Sequence, residues 1–169
     1  MKTTVLKFFT LSVAIFAFTN ISFGQNTDNA TATAGARIVT PLTIENDQEL
    51  EFGDIISAAN VVTISTAGVR SATTPEALLV TASRTPQAAQ FTVVGEPGLS
   101  YKVVIDNSIT LTGDVTSETM TVNNFDHNAT GTLPESGEET FSVGADLTVG
   151  ALQASDIYEG SFTVTVTYE

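Results

Sequence analysis

The sequence predicts an all-β protein, an immunoglobulin-like sandwich of short antiparallel strands, and three observations predict it. Thr- and Val-rich segments recur roughly every eight to twelve residues, each closed by Gly, Pro, Asn or Asp. Within them apolar and polar residues alternate, as strands with one dry and one wet face require. After residue 24 no helical periodicity occurs, and "PEALL" at 75–79 is too short to count.

Taken in order, "ARIVT" (36–40) reads as the first strand and is interrupted at Pro41, which restricts Thr40 and suits an edge or a break. "LTIENDQELEF" gives two strand-like halves around Asn46-Asp47, and "VVTIST" closes at Ala67-Gly68. "ALLVTAS" precedes Pro86, "QFTVVG" precedes Pro97-Gly98, and "SYKVVID" precedes Asn107. "SITLTG", "TMTVNNF" and "TFSVGADLTVG" follow. Ser161 to Glu169 reads as one unbroken strand, with Phe162, Val164, Val166 and Tyr168 on one face and Thr163, Thr165 and Thr167 on the other. The expected core is Phe52, Phe91, Tyr101, Phe141, Phe162, Val164 and Val166.

The N-terminus reads as an export signal. Lys2 and Lys7 give a cationic start, Phe8 to Phe18 an apolar run, and Ser22-Phe23-Gly24 a small-residue cleavage site. The run is too short to span a membrane, which takes roughly 20 apolar residues. The expected organisation is a signal peptide at 1–24, a flexible lead-in at 25–33 and one sandwich domain at 34–169, with no membrane span in the mature chain. The destination would be the periplasm, the cell surface or the medium. With no cysteine anywhere, disulfides, thiolate metal sites and an N-terminal lipid-modified cysteine are excluded.

Without residues 1–24, the chain of 169 keeps four basic residues against nineteen acids, a net charge of −15. Such a chain repels nucleic acid and anionic membranes. The full sequence is 42% hydrophobic, too high for a disordered chain.

The inventory for catalysis is poor: one His, no Cys, few basic groups. His127 in "FDHNATG" sits among Asp, Asn and Gly, the setting of a solvated loop, and no Ser has a Gly-x-Ser-x-Gly context. No catalytic residue and no cofactor is assigned. Glu45, Asp47, Glu49 and Glu51 alternate, and in an extended chain would share a face. They are a weak candidate Ca²⁺ site, since hard cations want several oxygen ligands. The spacing is not that of a Ca²⁺ loop, and a wet face opposite Leu50 and Phe52 is the stronger reading. Asn29 and Asn128 each begin an Asn-x-Thr glycosylation pattern, meaningful only in a host that uses it.

"IVTPLTIENDQELEFGDI", "AAQFTVVGEPGLSYKVVI", "MTVNNF" and "FSVGADLTVGALQASDIYEGSFTVTVTYE", in that order, resemble the bacterial family DUF4402 from about Ala34 to Glu169. The residues that carry the resemblance are Phe52, Gly53, Gly95, Pro97, Tyr158 and Gly160. Its members are small exported proteins of unknown function, so the resemblance brings no catalytic or ligand residue with it. "LEFGDI", with Tyr168 in a terminal strand, is similar in outline to chaperone–usher pilins and spore coat protein U domains. That likeness implies a surface subunit whose partners are copies of itself or other subunits, joined by β-strand addition. The donor would be residues 25–38, whose alternating side chains are Ala30, Ala32, Ala34, Ala36 and Ile38. An Ala methyl recovers about 0.8 kcal/mol on burial against roughly 1.5–3 for Val, Leu or Ile, so the same segment is equally suited to fold back as the chain's own first strand. The latter, closed arrangement is expected here. The expected function is that of an exported, non-enzymatic, pilus-like or adhesion-related structural subunit. The alternative is a stand-alone binding module for a glycan or a divalent cation.

Overall fold

The computed structural model describes residues 27–73, 79–80 and 83–169; the expected signal peptide lies outside them, as do residues 75–78 of "PEALL". The chain divides into two compact units, one ending at Arg37 and the other running from Ile38 to Glu169. In the first unit, residues 27–37 are exposed and carry no strand.

The second unit begins its first strand only at Thr43. The strand expected over Ala36–Thr40 is therefore absent, and the described part of 25–38 is not the chain's own first strand. Ile38 is 97% exposed. The physical reason lies at Thr40-Pro41. Pro41 has no N–H to give to a ladder, and Thr40 is held by side chains instead. Its N–H and its hydroxyl donate to Glu96 Oε2 at 3.0 and 2.9 Å, and its carbonyl accepts the Tyr168 hydroxyl at 2.9 Å.

With strands numbered in chain order, an eight-stranded sheet forms the larger layer. Its main path is β1 (Thr43–Gln48), β6 (Ala89–Val94), β10 (Glu138–Val149), β9 (Thr119–His127), β8 (Ser108–Gly113) and β11 (Tyr158–Glu159). β3 (Asn60–Ile64) joins through β10, and β4 (Arg70–Ala72) pairs with β3. Every pairing is antiparallel. Two short ribbons stand apart from this sheet: β7 (Tyr101–Ile105) with β12 (Val164–Tyr168), and β2 (Asp54–Ile55) with β5 (Leu79–Val80).

β10 is the hub. Glu138–Val143 pairs with β6, Ala145–Val149 pairs with β3 along the same edge, and Val143–Thr148 pairs with β9 on the other. The change of partner falls at Gly144. A Cβ there would collide with the Ile64 carbonyl and lie 2.8 Å from the Ser65 carbonyl carbon, so only glycine lets the β3 chain turn away so closely. Opposite, β9 takes up the irregularity with Asn124 at a φ of 52°, and the Asn124 amide donates to Asp146 at 3.0 Å. Asn is among the few residues that tolerate this conformation.

Two apolar clusters fill the space between the layers. One joins Ala89, Phe91, Val93, Phe141 and Val143 of the sheet to Tyr101 of the β7–β12 ribbon and to Leu133. Phe91 and Phe141 stack with centroids 5.8 Å apart, and Phe162 meets Phe91 edge-on. The other joins Val62, Ile64, Val122, Leu147 and Val149 to Phe52, with Ile55 and Leu79 of the β2–β5 ribbon packed against them. Phe52, Phe91, Tyr101 and Phe141 are buried as expected. Phe162, Val164 and Val166 face inward but only half-buried, while Thr163, Thr165 and Thr167 are exposed. The last strand is shorter than expected, Val164–Tyr168 rather than Ser161–Glu169, and over those residues the period-2 reading holds.

Candidate functional site

A cleft of about 1090 Å³ lies over the half of the sheet that the β2–β5 ribbon covers. Its floor is aliphatic: Ile109 and Leu111 of β8, Met120 and Val122 of β9, Leu147 and Val149 of β10. Alternation within "SITLTG" and "TMTV" puts these side chains on one face. Val122, Leu147 and Val149 are buried, but Ile109, Leu111 and Met120 are only half-covered. Ile56 and Ile157, 48% and 54% exposed, also line it.

Residues 49–57 form one wall and are braced from behind. Gly53, at a φ of 77°, makes a turn that Arg70 fills: its guanidinium donates to the carbonyls of Phe52 (3.0 Å), Asp54 (3.2 Å) and Val80 (2.9 Å). A Cβ on Gly53 would come within 2.6 Å of Arg70 Nη1, so glycine serves both the turn and the close approach. The Asp54 carboxylate accepts the N–H groups of Ser83 and Arg84 at 2.6 and 3.1 Å.

Residues 153–162 form the other wall. The Tyr158 hydroxyl donates to the Ala154 carbonyl at 2.9 Å and accepts from Gln153 at 3.0 Å. A Cβ on Gly160 would lie 2.5 Å from the Thr110 carbonyl and 3.0 Å from Leu111, so glycine lets this wall pass low over β8. Asp156 pins it to the β8–β9 turn, accepting the N–H groups of Val115 and Thr116 and the Thr116 hydroxyl at 3.0, 2.7 and 2.7 Å. Hydrogen bonding by the Thr116 N–H and then by its hydroxyl holds the Asp156 carboxyl down at about 2.

An ion-pair bridge crosses between the walls. Arg84 meets Glu51 at 3.3 Å on its own side and Glu159 at 3.4 Å on the opposite side.

The residues singled out in the sequence thus divide between two places. Phe52 and Gly53 stand on one wall of the cleft, Tyr158 and Gly160 on the other. Gly95, Pro97 and Tyr168 lie in a different junction, where the Tyr168 hydroxyl accepts the Glu96 N–H at 2.6 Å and a Cβ on Gly95 would collide with that hydroxyl. Sequence reasoning missed Arg70 and Arg84, although each is a lone cation in an acidic chain, and it missed the floor residues Ile109, Leu111 and Met120.

The four alternating acids are not brought onto one face. A β-bulge between Asn46 and Gln48 breaks the alternation at Asp47. Asp47 then accepts the Thr92 hydroxyl at 2.7 Å, Glu51 accepts the Gly53 N–H and pairs with Arg84, and Glu45 and Glu49 are exposed. Among the described residues no three His, Cys, Asp or Glu side chains gather as metal ligands would. His127 is not in the solvated loop expected of it: it ends β9, paired with Val143 and half-buried, because its ring packs edge-on to Phe141, and its Nδ1 accepts the Ala129 N–H at 3.3 Å. Tyr101 donates to Glu139 at 2.9 Å; burial first, then this bond, pushes its pKa up. Among the described residues no helix is long and apolar enough to cross a membrane.

Comparison with curated proteins and with solved structures gives no match. The family model of DUF4402, described as a domain of unknown function, matches residues 42–168, from the residue before β1 to the last residue of β12. By that match over three-quarters of its length, the chain belongs to the DUF4402 family.

Proposed function

We propose that the chain is an exported, non-enzymatic structural subunit of a bacterial surface or extracellular assembly, joined to its neighbours by β-strand addition. The observation that carries this reading is the unfinished second layer. It consists of two two-stranded ribbons, and between β2 and the chain entering β12 lies a cleft with an aliphatic floor. Soluble proteins avoid leaving such an apolar surface beside unpaired strand edges, because it templates association. An added strand would bury Ile109, Leu111 and Met120 and supply main-chain partners at once. The residues around the cleft suit a scaffold rather than a reaction: their polar groups are engaged in bracing the walls.

Electron microscopy of sheared surface material, compared with a strain lacking the gene, tests this. Filaments or a surface layer containing the chain, lost on deletion, are expected. A chain recovered only as free monomer from an unchanged surface would refute the proposal.

A further inference from the structure

The rim of the cleft is acidic. Among the described residues, Glu49, Glu51, Asp54, Asp156 and Glu159 line it against a single cation, Arg84, which is already bound to two of these carboxylates. Its volume of about 1090 Å³ exceeds the roughly 300–1,000 Å³ of small-molecule sites. No buried side-chain nitrogen or oxygen among the described residues waits for a partner, so nothing polar is poised to orient a compact ligand. An extended chain fits better: alternate side chains would enter the aliphatic floor while the others meet the acidic rim.

We infer that the cleft receives an extended segment of another protein in which apolar residues alternate with Lys or Arg. The inference rests on the strand-accepting reading above and names the chemistry of the strand. It also sets aside this chain's own residues 27–41 as the occupant. They carry one acid, Asp28, against one base, Arg37, and offer Ala methyls where the floor has room for larger groups. An incoming cation competes for Glu51 and Glu159, the two carboxylates that Arg84 now bridges.

The test uses purified residues 25–169 and four labelled peptides: Val-Lys, Val-Thr and Val-Glu alternating heptamers, and residues 27–41 of this chain. Fluorescence anisotropy should show the Val-Lys peptide binding about tenfold or more tighter than Val-Thr, and losing affinity as salt is raised. Val-Glu and the 27–41 peptide should not compete. Glu49→Lys with Glu159→Lys, both exposed positions, should weaken Val-Lys binding about tenfold, whereas Glu135→Lys with Glu138→Lys, away from the cleft, should not. Met120→Lys should abolish binding; should that variant fail to fold, the surface pairs still decide. Amide shifts on binding should map to β8 and β9. Equal binding of Val-Thr, tight binding of the 27–41 peptide, no peptide binding at all, or equal effects of the two Glu pairs would each overturn the inference. Peptide binding without any surface assembly would leave it standing and remove the structural-subunit reading. An assembly built by a protein that binds none of the peptides would do the reverse.

Discussion

The two halves of the space between the layers are built from the same kinds of strand and finish differently. Over β6 and the first half of β10 lies a five-residue ribbon, β7–β12, and the cluster beneath it is closed by Phe91, Phe141, Tyr101 and Leu133. Over β8, β9 and the second half of β10 lies only the two-residue ribbon β2–β5, and Ile109, Leu111 and Met120 stay half-covered. What separates the halves is the length of the covering element, not the apolarity of the sheet. A strand of five residues spans about 17 Å at 3.3–3.4 Å each, a strand of two less than half of that. Both halves hold fully buried side chains, Val62, Ile64, Val122 and Leu147 in the one and Val93, Leu133, Phe141 and Val143 in the other, but only the open half leaves an aliphatic floor half-covered.

Core truncations should separate the halves most widely. Phe141→Ala, at a site 1% exposed and stacked on Phe91, should cost about 3–5 kcal/mol in chemical denaturation. Met120→Ala, on the half-covered floor, should cost about 1 kcal/mol. Comparable losses would erase the distinction between closed and open.

The junction at the closed end comes next. Tyr168→Phe removes a hydroxyl that accepts the Glu96 N–H and donates to the Thr40 carbonyl. A loss of about 0.5–1.5 kcal/mol is expected, the net worth of a hydrogen bond that solvent partly replaces. A negligible loss would show that Tyr168 does not tie Thr40-Pro41 to the ribbon.

Trimming the chain to begin at Ile38 should change the melting temperature little, since residues 27–37 carry no strand and are exposed. Unfolding would restore the first-strand role that the sequence suggested for them. Thr163→Ala, on the exposed face beside β12, should stay within about 0.5 kcal/mol.

Acid should act on the open half. Asp156 is held at about 2, below the ordinary carboxyl value of 3.8. A carboxyl depressed by folding stabilises fully above its unfolded pKa, and its contribution fades as pH falls from there through the folded value. Titration from pH 5 to 2 should therefore loosen the wall at 153–162, and Asp156→Asn should flatten that part of the profile. An unchanged profile would mean that the bonds from Val115 and Thr116 do not depend on the charge.

Most strands were legible because period-2 alternation is local: Val164–Tyr168 and "SITLTG" state their own faces. The bulge at Asp47 was not, because its cause is the register against Phe91 and Gln90 on β6, some forty residues away. Ala36–Thr40 looked like a strand by residue type, yet Glu96 and Tyr168, distant in sequence, draw Thr40 aside. The cleft was the least legible feature. Its walls come from residues 49–57 and 153–162, and no spacing within either segment says that they face each other across a gap. Gly53 and Gly160 marked both walls in the sequence, but their reasons, the Arg70 guanidinium and the Thr110 carbonyl, exist only in the fold.

Amide hydrogen exchange on the purified protein tests the central claim, that one half is closed and the other open, most directly. Amides of β6 and of Phe141–Val143 should exchange only with global unfolding, while those of Asp54, Ile55, Tyr158 and Glu159 should exchange by local opening, at least a hundredfold faster, a gap of about 2.8 kcal/mol. Uniform protection across both sets would contradict the account.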